Sequence, residues 1–300
     1  MLQQKMVRGY IFVILSAVIF GCNGLMVQFI YTEGVNSLSL VLLRNLLSLP
    51  VLGVLALRQH NTLRIPLQAV TSIGLISIMG CSMTPILLFS SYMFIASGTA
   101  TVFHFIYPVT VVLAEVIFYR KRLKTGNFVS VLICAIGIFL FYNPGEPLDW
   151  RGSALALLSG ITYTIYILLL ANFRFPQVSG FLLSFHVSIT SCMVMLPVCL
   201  CSGMLRLPGS FLGWVYCFGF SLIINVGAVV LFQQGTLLIG GQRASVLSTL
   251  EPITAVFVGM LAFQESVGFR TMTGCILVVM ASILITSTDL KSSGNCKTDE

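Results

Sequence analysis

Residues 98–124 read GTATVFHFIYPVTVVLAEVIFYRKRLK, an apolar run long enough to cross a bilayer that ends in Arg120, Lys121, Arg122 and Lys124. On a helix, His104, Pro108, Val111 and Glu115 follow one another at i, i+4, i+7 and i+11 and share one face. Polar groups and a proline at membrane depth are costly unless that face meets protein or water. Residues 242–268, QRASVLSTLEPITAVFVGMLAFQESVG, restate the pattern. At an offset of 144, Ala100 falls on Ala244, Val102 on Val246, Pro108 on Pro252 and Thr110 on Thr254. The chain carries this element twice.

The composition around these two stretches has the same character. Of 300 residues, 57% are apolar and 8% charged, and the mean hydropathy is +1.00. A soluble domain needs a polar face on each element, and this chain lacks the charges to build one. The sequence is that of an integral membrane protein. A net charge of +7 would suggest nucleic acid in a soluble chain; here it reads as basic cytoplasmic loops, and no nucleic-acid partner is expected. The nine cysteines form no C-x-x-C pair, and most lie within apolar runs as small core-filling side chains. Lys5 and Arg8 open the first segment like a signal peptide, but the apolar run to Tyr31 is too long for one, so it is expected to stay as an anchor.

Apolar runs of membrane-spanning length predict ten spans, at about 9–31, 37–57, 68–95, 98–119, 126–143, 152–171, 178–201, 211–235, 243–264 and 269–288. With the N-terminus inside, twelve of the sixteen Lys and Arg are cytoplasmic, including Lys5, Arg58, Arg64, Arg174, Arg243 and Lys297. Only Arg151, Arg206 and Arg270 are external, with Glu33, Glu146, Asp149 and Glu265 beside them, and Arg44 stays inside a span. Both termini are therefore expected in the cytoplasm.

The internal similarity extends beyond the opening pair. GYIFVILSAVIFG from Gly9 resembles GSALALLSGITYT from Gly152, with Ser16 over Ser159 and Phe20 over Tyr163. VLLRNLL around Arg44 lies over LSFHVSI around His186. Five spans per half is an odd number, so the second half enters the membrane inverted, which is a transporter architecture with its site between the halves. The expected fold is an all-α membrane protein of ten transmembrane helices in two inverted five-helix repeats, residues 1–146 and 147–300, the second ending in a short cytoplasmic tail.

ATVFHFIYPVTVVLAEVIFYRKRL and SVLSTLEPITAVFVGMLAFQESV resemble the two EamA repeats of the drug/metabolite transporter superfamily, over about residues 9–288. The resemblance implies ten helices with cytoplasmic termini in a plasma or inner membrane. It also implies transport of an amino acid, metabolite or drug-like compound, commonly outward, through a cavity lined by spans 1, 3, 4, 6, 8 and 9. Two details depart from the family pattern. The acidic residue that usually ends the fourth and ninth helices has its counterpart in Glu265 but is Lys121 in the first half, and the glycine of the fifth helix, Gly137, becomes Ala281 in the tenth.

Candidate binding residues are polar groups within the spans. Arg44 stands seven residues into the second span, roughly 10 Å deep, where an arginine either binds solute, holds helices together or snorkels. Glu251 precedes Pro252, which leaves a carbonyl one turn earlier without its helical donor. It is a candidate for a substrate amine or for a proton, the candidate coupling ion, with a pair to His186 as the structural alternative. Glu115 is expected in an ion pair with the basic cluster. His104, Tyr107, Asn23, Tyr166 and Asn225 complete the candidate substrate-binding set, with Tyr163, Gln233 and Gln234 as further polar positions. No catalytic or metal set and no cofactor are expected, for the chain has no P-loop, H-E-x-x-H or G-x-S-x-G. The leading reading is a secondary carrier for a small organic solute, an exporter by alternating access. The alternatives are an intramembrane enzyme using a His and Glu pair, or a non-transporting membrane subunit.

Overall fold

Inside a bilayer every backbone N–H and C=O must find its partner within the protein, and a helix achieves this in one segment. The computed structural model is accordingly helical. It describes residues 2–60, 62–95, 97–120, 125–140, 149–175, 178, 180–263 and 268–295, and no strand occurs among them. Lys121, Arg122, Lys124, Glu146, Glu265 and Lys297 lie outside the described residues.

Seven described helices are long and apolar enough to cross a membrane: Gln4–Thr32, Ser37–Gln59, Leu67–Ser91, Thr99–Tyr119, Trp150–Ala171, Phe181–Cys201 and Phe211–Ile239. Phe128–Phe139 and Met272–Ala281 are shorter apolar helices. Exposed Ile117, Phe118, Phe139, Met193 and Ile283 form outer faces suited to lipid rather than water. The chain is a multi-pass membrane protein.

Several of these helices are interrupted, and the interruptions shape the site. The first is split at Cys22 into α1 (Leu2–Gly21) and α2 (Asn23–Thr32). After α3 (Ser37–His60), the next runs as α4 (Leu67–Ile76), a π-helical stretch Ser77–Met83 and α5 (Thr84–Ser91). Then come α6 (Ser97–His104) and α7 (Tyr107–Tyr119), separated at Phe105–Ile106. The chain continues through α8 (Thr125–Phe139), α9 (Trp150–Ala171) and α10 (Phe181–Cys201). Next are α11 (Phe211–Phe220), a second π-helical stretch Ser221–Val229 and α12 (Val230–Ile239). Last are α13 (Gly241–Leu247) and α14 (Leu250–Phe263), separated at Ser248–Thr249, and α15 (Phe269–Asn295).

Proline accounts for three of the interruptions, because it cannot donate to the carbonyl four residues earlier. Pro108 stands at the start of α7 and Pro252 in the first turn of α14. The Ser248 carbonyl that Pro252 leaves without its helical donor accepts from Glu251 N at 2.9 Å, so the backbone uses it locally instead of offering it to a ligand. Pro85 likewise forgoes a bond to the Cys81 carbonyl at the end of the first π stretch. That oxygen accepts from Arg44 Nη2 at 3.4 Å, Ser191 Oγ at 3.3 Å and Asn45 Nδ2 at 3.5 Å, which ties α3 and α10 to the break.

Several boundaries differ from the sequence reading. The first helix begins at Leu2 rather than 9, the third span stops as helix at Ser91 rather than 95, the eighth runs to Ile239 rather than 235 and the tenth to Asn295 rather than 288. Gln233 and Gln234 look like a polar end, but Gln233 is buried and its Oε1 accepts from Ser184 Oγ at 2.6 Å. The helix stops instead at Gly240, whose φ of +85° suits glycine.

The main packing pairs include α3 with α10 and the second π stretch, α8 with α15, α1 with α12 and α14, and α9 with α5, α6 and α7, and α7 also meets α13. Described loop contacts join helix ends: Ser210 Oγ donates to Glu33, Asn36 Nδ2 to Met204 O at 2.6 Å, and Phe181 N to Gln59 Oε1 at 3.3 Å.

Candidate functional site

A central cavity with about 60 Å3 of room for water opens where the interrupted helices meet. Every interruption contributes to its wall: Asn23 from the first, Gly80 and Cys81 from the π stretch, His104 from the end of α6, Val229 from the second π stretch and Glu251 from the start of α14. Arg44 enters from α3, while Tyr163 and Tyr166 come from α9. Among the described residues, none of α8, α10 or α15 lines it.

One side of the cavity is aromatic. Tyr163, Tyr166 and Phe232 stack with ring centroids 5.4–6.0 Å apart. Tyr107 is buried behind this wall, with its ring 4.8 Å from that of Tyr163 in an edge-on contact. Gly80 permits the arrangement, because a Cβ there would overlap the Tyr166 ring.

The polar groups are positioned by different means. His104 is buried, and its Nδ1 lies 2.8 Å from Ser159 Oγ. Ser159 spends its one hydroxyl hydrogen on the Ala156 carbonyl at 2.6 Å, so the shared proton must sit on Nδ1. That leaves Nε2 as the ring nitrogen without a protein partner. Gly160 brings α9 close enough for this bond, since a Cβ at that residue would stand 2.6 Å from the His104 carbonyl.

Arg44 is 5% exposed; besides its bond to Cys81 it lies over the Phe89 ring at 6.0 Å, and its Nε has no hydrogen-bond partner. Glu251 is half-buried, and its carboxylate has no hydrogen bond from the protein. No ion pair within 4.0 Å joins Arg44 to Glu251, though both line one cavity. An arginine and a carboxyl group thus face a shared space without pairing to each other.

Of the sequence candidates, the structure brings Glu251, His104, Asn23, Arg44 and Tyr166 to the cavity, with Tyr107 packed behind Tyr163. Asn225 and His186 lie elsewhere. Asn225 Nδ2 donates to the Arg44 carbonyl at 2.9 Å and to Asn45 Oδ1 at 3.1 Å, within the contact between α3 and the second π stretch. His186 Nε2 pairs with the Leu63 carbonyl at 2.8 Å instead of with Glu251. Glu115, expected at the interface, is 3% exposed, with Oε1 beside Gly241 at the start of α13. Neither His104 nor His186 bonds a carboxylate, as a His and Glu acid–base pair would require.

Sequence reasoning passed over Gly80, Thr84, Phe89 and Phe232, which complete the wall. Their one signal was Pro85, whose missing N–H marks the segment as irregular.

The EamA-like transporter family model matches residues 7–143 and 150–287. An uncharacterized inner membrane transporter of Salmonella typhimurium, YicL, is 25% identical over 292 residues, covering 93% of this chain and 95% of its own. An uncharacterized transporter of Clostridium kluyveri is 18% identical over 96% of each chain. An uncharacterized transporter of Archaeoglobus fulgidus is 25% identical over 60% of this chain and 62% of its own. Among solved structures, a crystal structure that is 16% identical superposes with a TM-score of 0.71 over 93% of this chain and 96% of the other, which shows a shared fold. The family and the names of these relatives point to a membrane transporter rather than an enzyme. With both stretches of the chain matched, it belongs to the EamA-like transporter family.

Proposed function

We propose that the protein is a secondary carrier that exports a small organic solute across a plasma or inner membrane by alternating access between two inverted five-helix halves, residues 1–146 and 147–300. The observation that carries this reading is the central cavity, lined from both halves and holding Arg44 and Glu251 without a pair between them. A subunit without transport would gain nothing from leaving such costly groups facing empty space. The present volume suits a few waters and not an organic solute, as expected of a closed state that opens to either side.

Three features support the inverted halves. The π-helical stretches begin at Ser77 and Ser221, 144 residues apart, the same offset that relates Pro108 to Pro252. The main packing pairs recur when each element is exchanged for its counterpart. The pairs α3 with α10 and α8 with α15 map onto themselves, α7 with α13 maps onto α14 with α6, and α1 with α12 exchanges with α9 and α5. The contacts Glu33 with Ser210, Asn36 with Met204 and Gln59 with Phe181 each join ends assigned to the same side by ten alternating spans.

Cys81 lines the cavity and offers a native reporter. In a variant retaining Cys81 as its only cysteine, a small impermeant thiol reagent should react from outside in intact cells and from inside in inverted vesicles. Protection by a transported solute should follow on both sides. Reactivity from one side alone would overturn alternating access.

A further inference from the structure

We propose that a second cavity, on the flank of the molecule, seats an acyl chain of an outer-leaflet lipid against the break between α6 and α7. It lies outside the central site and needs no transported solute, so its failure would leave the carrier reading standing. The cavity has about 400 Å3 of free room, more than six times that of the central one. Phe103, Phe105 and Ile106 line it from the break, Ala135 and Ile138 from α8, and Leu157 from α9. Every described residue of its wall is apolar. Two of them, Ile106 and Phe139, are exposed, as are Ile136 and Leu158 beside the wall on α8 and α9. The cavity thus continues the lipid-facing surface.

The chemistry of the wall decides the occupant. Water does not stay in an apolar cavity. Sites for organic solutes carry a few polar groups that fix orientation, and the described wall has none. Left empty, the wall would forfeit the dispersion contacts of a close-packed interior. The surrounding medium that reaches it is hydrocarbon. Leu157 stands seven residues inside Trp150, about 10 Å along α9, and Ile138 is in the last turn of α8. Ten alternating spans put both of these helix ends on the outer side, so a chain descending from the outer headgroups has the right depth. Its seat also touches the site. His104 faces the central cavity, while Phe103, Phe105 and Ile106 on either side of it face this one. The same turn already rests on α9, where a Cβ on Gly160 would stand 2.7 Å from Ile106 Cγ2. A chain packed on Phe105 and Ile106 completes the support of the turn that presents His104.

The probe is a phosphatidylethanolamine with a photoactivatable diazirine midway along one acyl chain, mixed into the bilayer of nanodiscs that hold the full-length protein. Adducts are located by mass spectrometry of fragments. Phe103, Ile106, Ile138 and Leu157 should be labelled several-fold more than Met193 and Ile276, which are exposed at similar distances from the outer ends of α10 and α15. Ala135→Trp and Val109→Phe fill the cavity from different walls. Each should remove the labelling inside it and leave that of Met193 and Ile276 as before. The comparison of positions on the unaltered protein stands even if both variants misfold. Equal labelling of the cavity and the exposed positions would make it ordinary lipid-facing surface and overturn the proposal. Labelling that persists in the folded, filled variants would overturn it too. Labelling of the cavity only in dilute detergent, where copies separate, would mean that a second copy covers it in the bilayer and would overturn it equally.

Discussion

A polar side chain inside a membrane is either satisfied by protein or left open to something else, and Asn225 and Glu251 exemplify the two cases. Asn225 donates to the Arg44 carbonyl and Asn45 Oδ1, fastening the second π stretch to α3. Glu251 receives no hydrogen bond from the protein and faces the cavity. An ionised carboxylate at that depth costs about 3 kcal/mol, whereas each interhelical bond of the Asn225 kind contributes about 1 kcal/mol. The two substitutions should therefore move stability in opposite directions. Asn225→Leu should lower the melting temperature of the purified protein, and Glu251→Gln should hold or raise it while impairing transport. A Glu251→Gln protein that melts well below the parent would mean that the carboxylate holds the fold together. Sequence alone listed both residues as candidates because residue type and depth are legible there. Which of them has a partner depends on Arg44 and Asn45, some 180 residues away in the chain, and that is invisible in a linear reading. His186 fell to the same cause: its partner is the backbone of Leu63, a group that every residue carries.

At the level of elements, prolines announced some interruptions and nothing announced the others. Pro108 and Pro252 marked breaks in their helices because a missing N–H is a property of the residue itself. The π stretches are different, since a wider turn persists through what packs against it. In the first of them Gly80 accommodates the ring of Tyr166, and only the contact between α9 and this stretch reveals why glycine stands there. Gly80→Ala would force overlap with that ring, and overpacking of this sort costs about 1–3 kcal/mol. The variant should melt at a lower temperature, and Tyr166→Leu in the same chain should recover part of the loss by giving the new methyl room. Equal destabilisation in the single and double variants would argue that Gly80 acts through the backbone of the π turn instead of through Tyr166.

For the whole molecule, apolar content made the membrane environment plain and run lengths marked the helices, whereas orientation rests on charge alone. Twelve Lys and Arg on one side against three on the other favour a cytoplasmic N-terminus. Trp150, Phe211 and Phe269 open α9, α11 and α15 and are 75%, 85% and 86% exposed, and alternation assigns all three to the outer face. Large aromatic rings suit the headgroup layer, so these residues would anchor one rim of the second half. Two positions can report orientation with little disturbance. Gly209 lies in the loop between α10 and α11, exposed and with nothing within 4 Å of where a Cβ would stand. Thr62 is exposed in the loop between α3 and α4. Cys201 is also exposed and close to Gly209 in sequence, so it must be replaced by serine first to avoid a background signal. In that background Gly209→Cys should react with an impermeant maleimide in intact cells, and Thr62→Cys should react only after the membrane is opened. The reverse pattern would invert the molecule in the membrane and turn export into uptake for the same cycle. Labelling of both positions in intact cells would put the ends of α3 and α10 on one side and break the alternation on which the inverted halves depend.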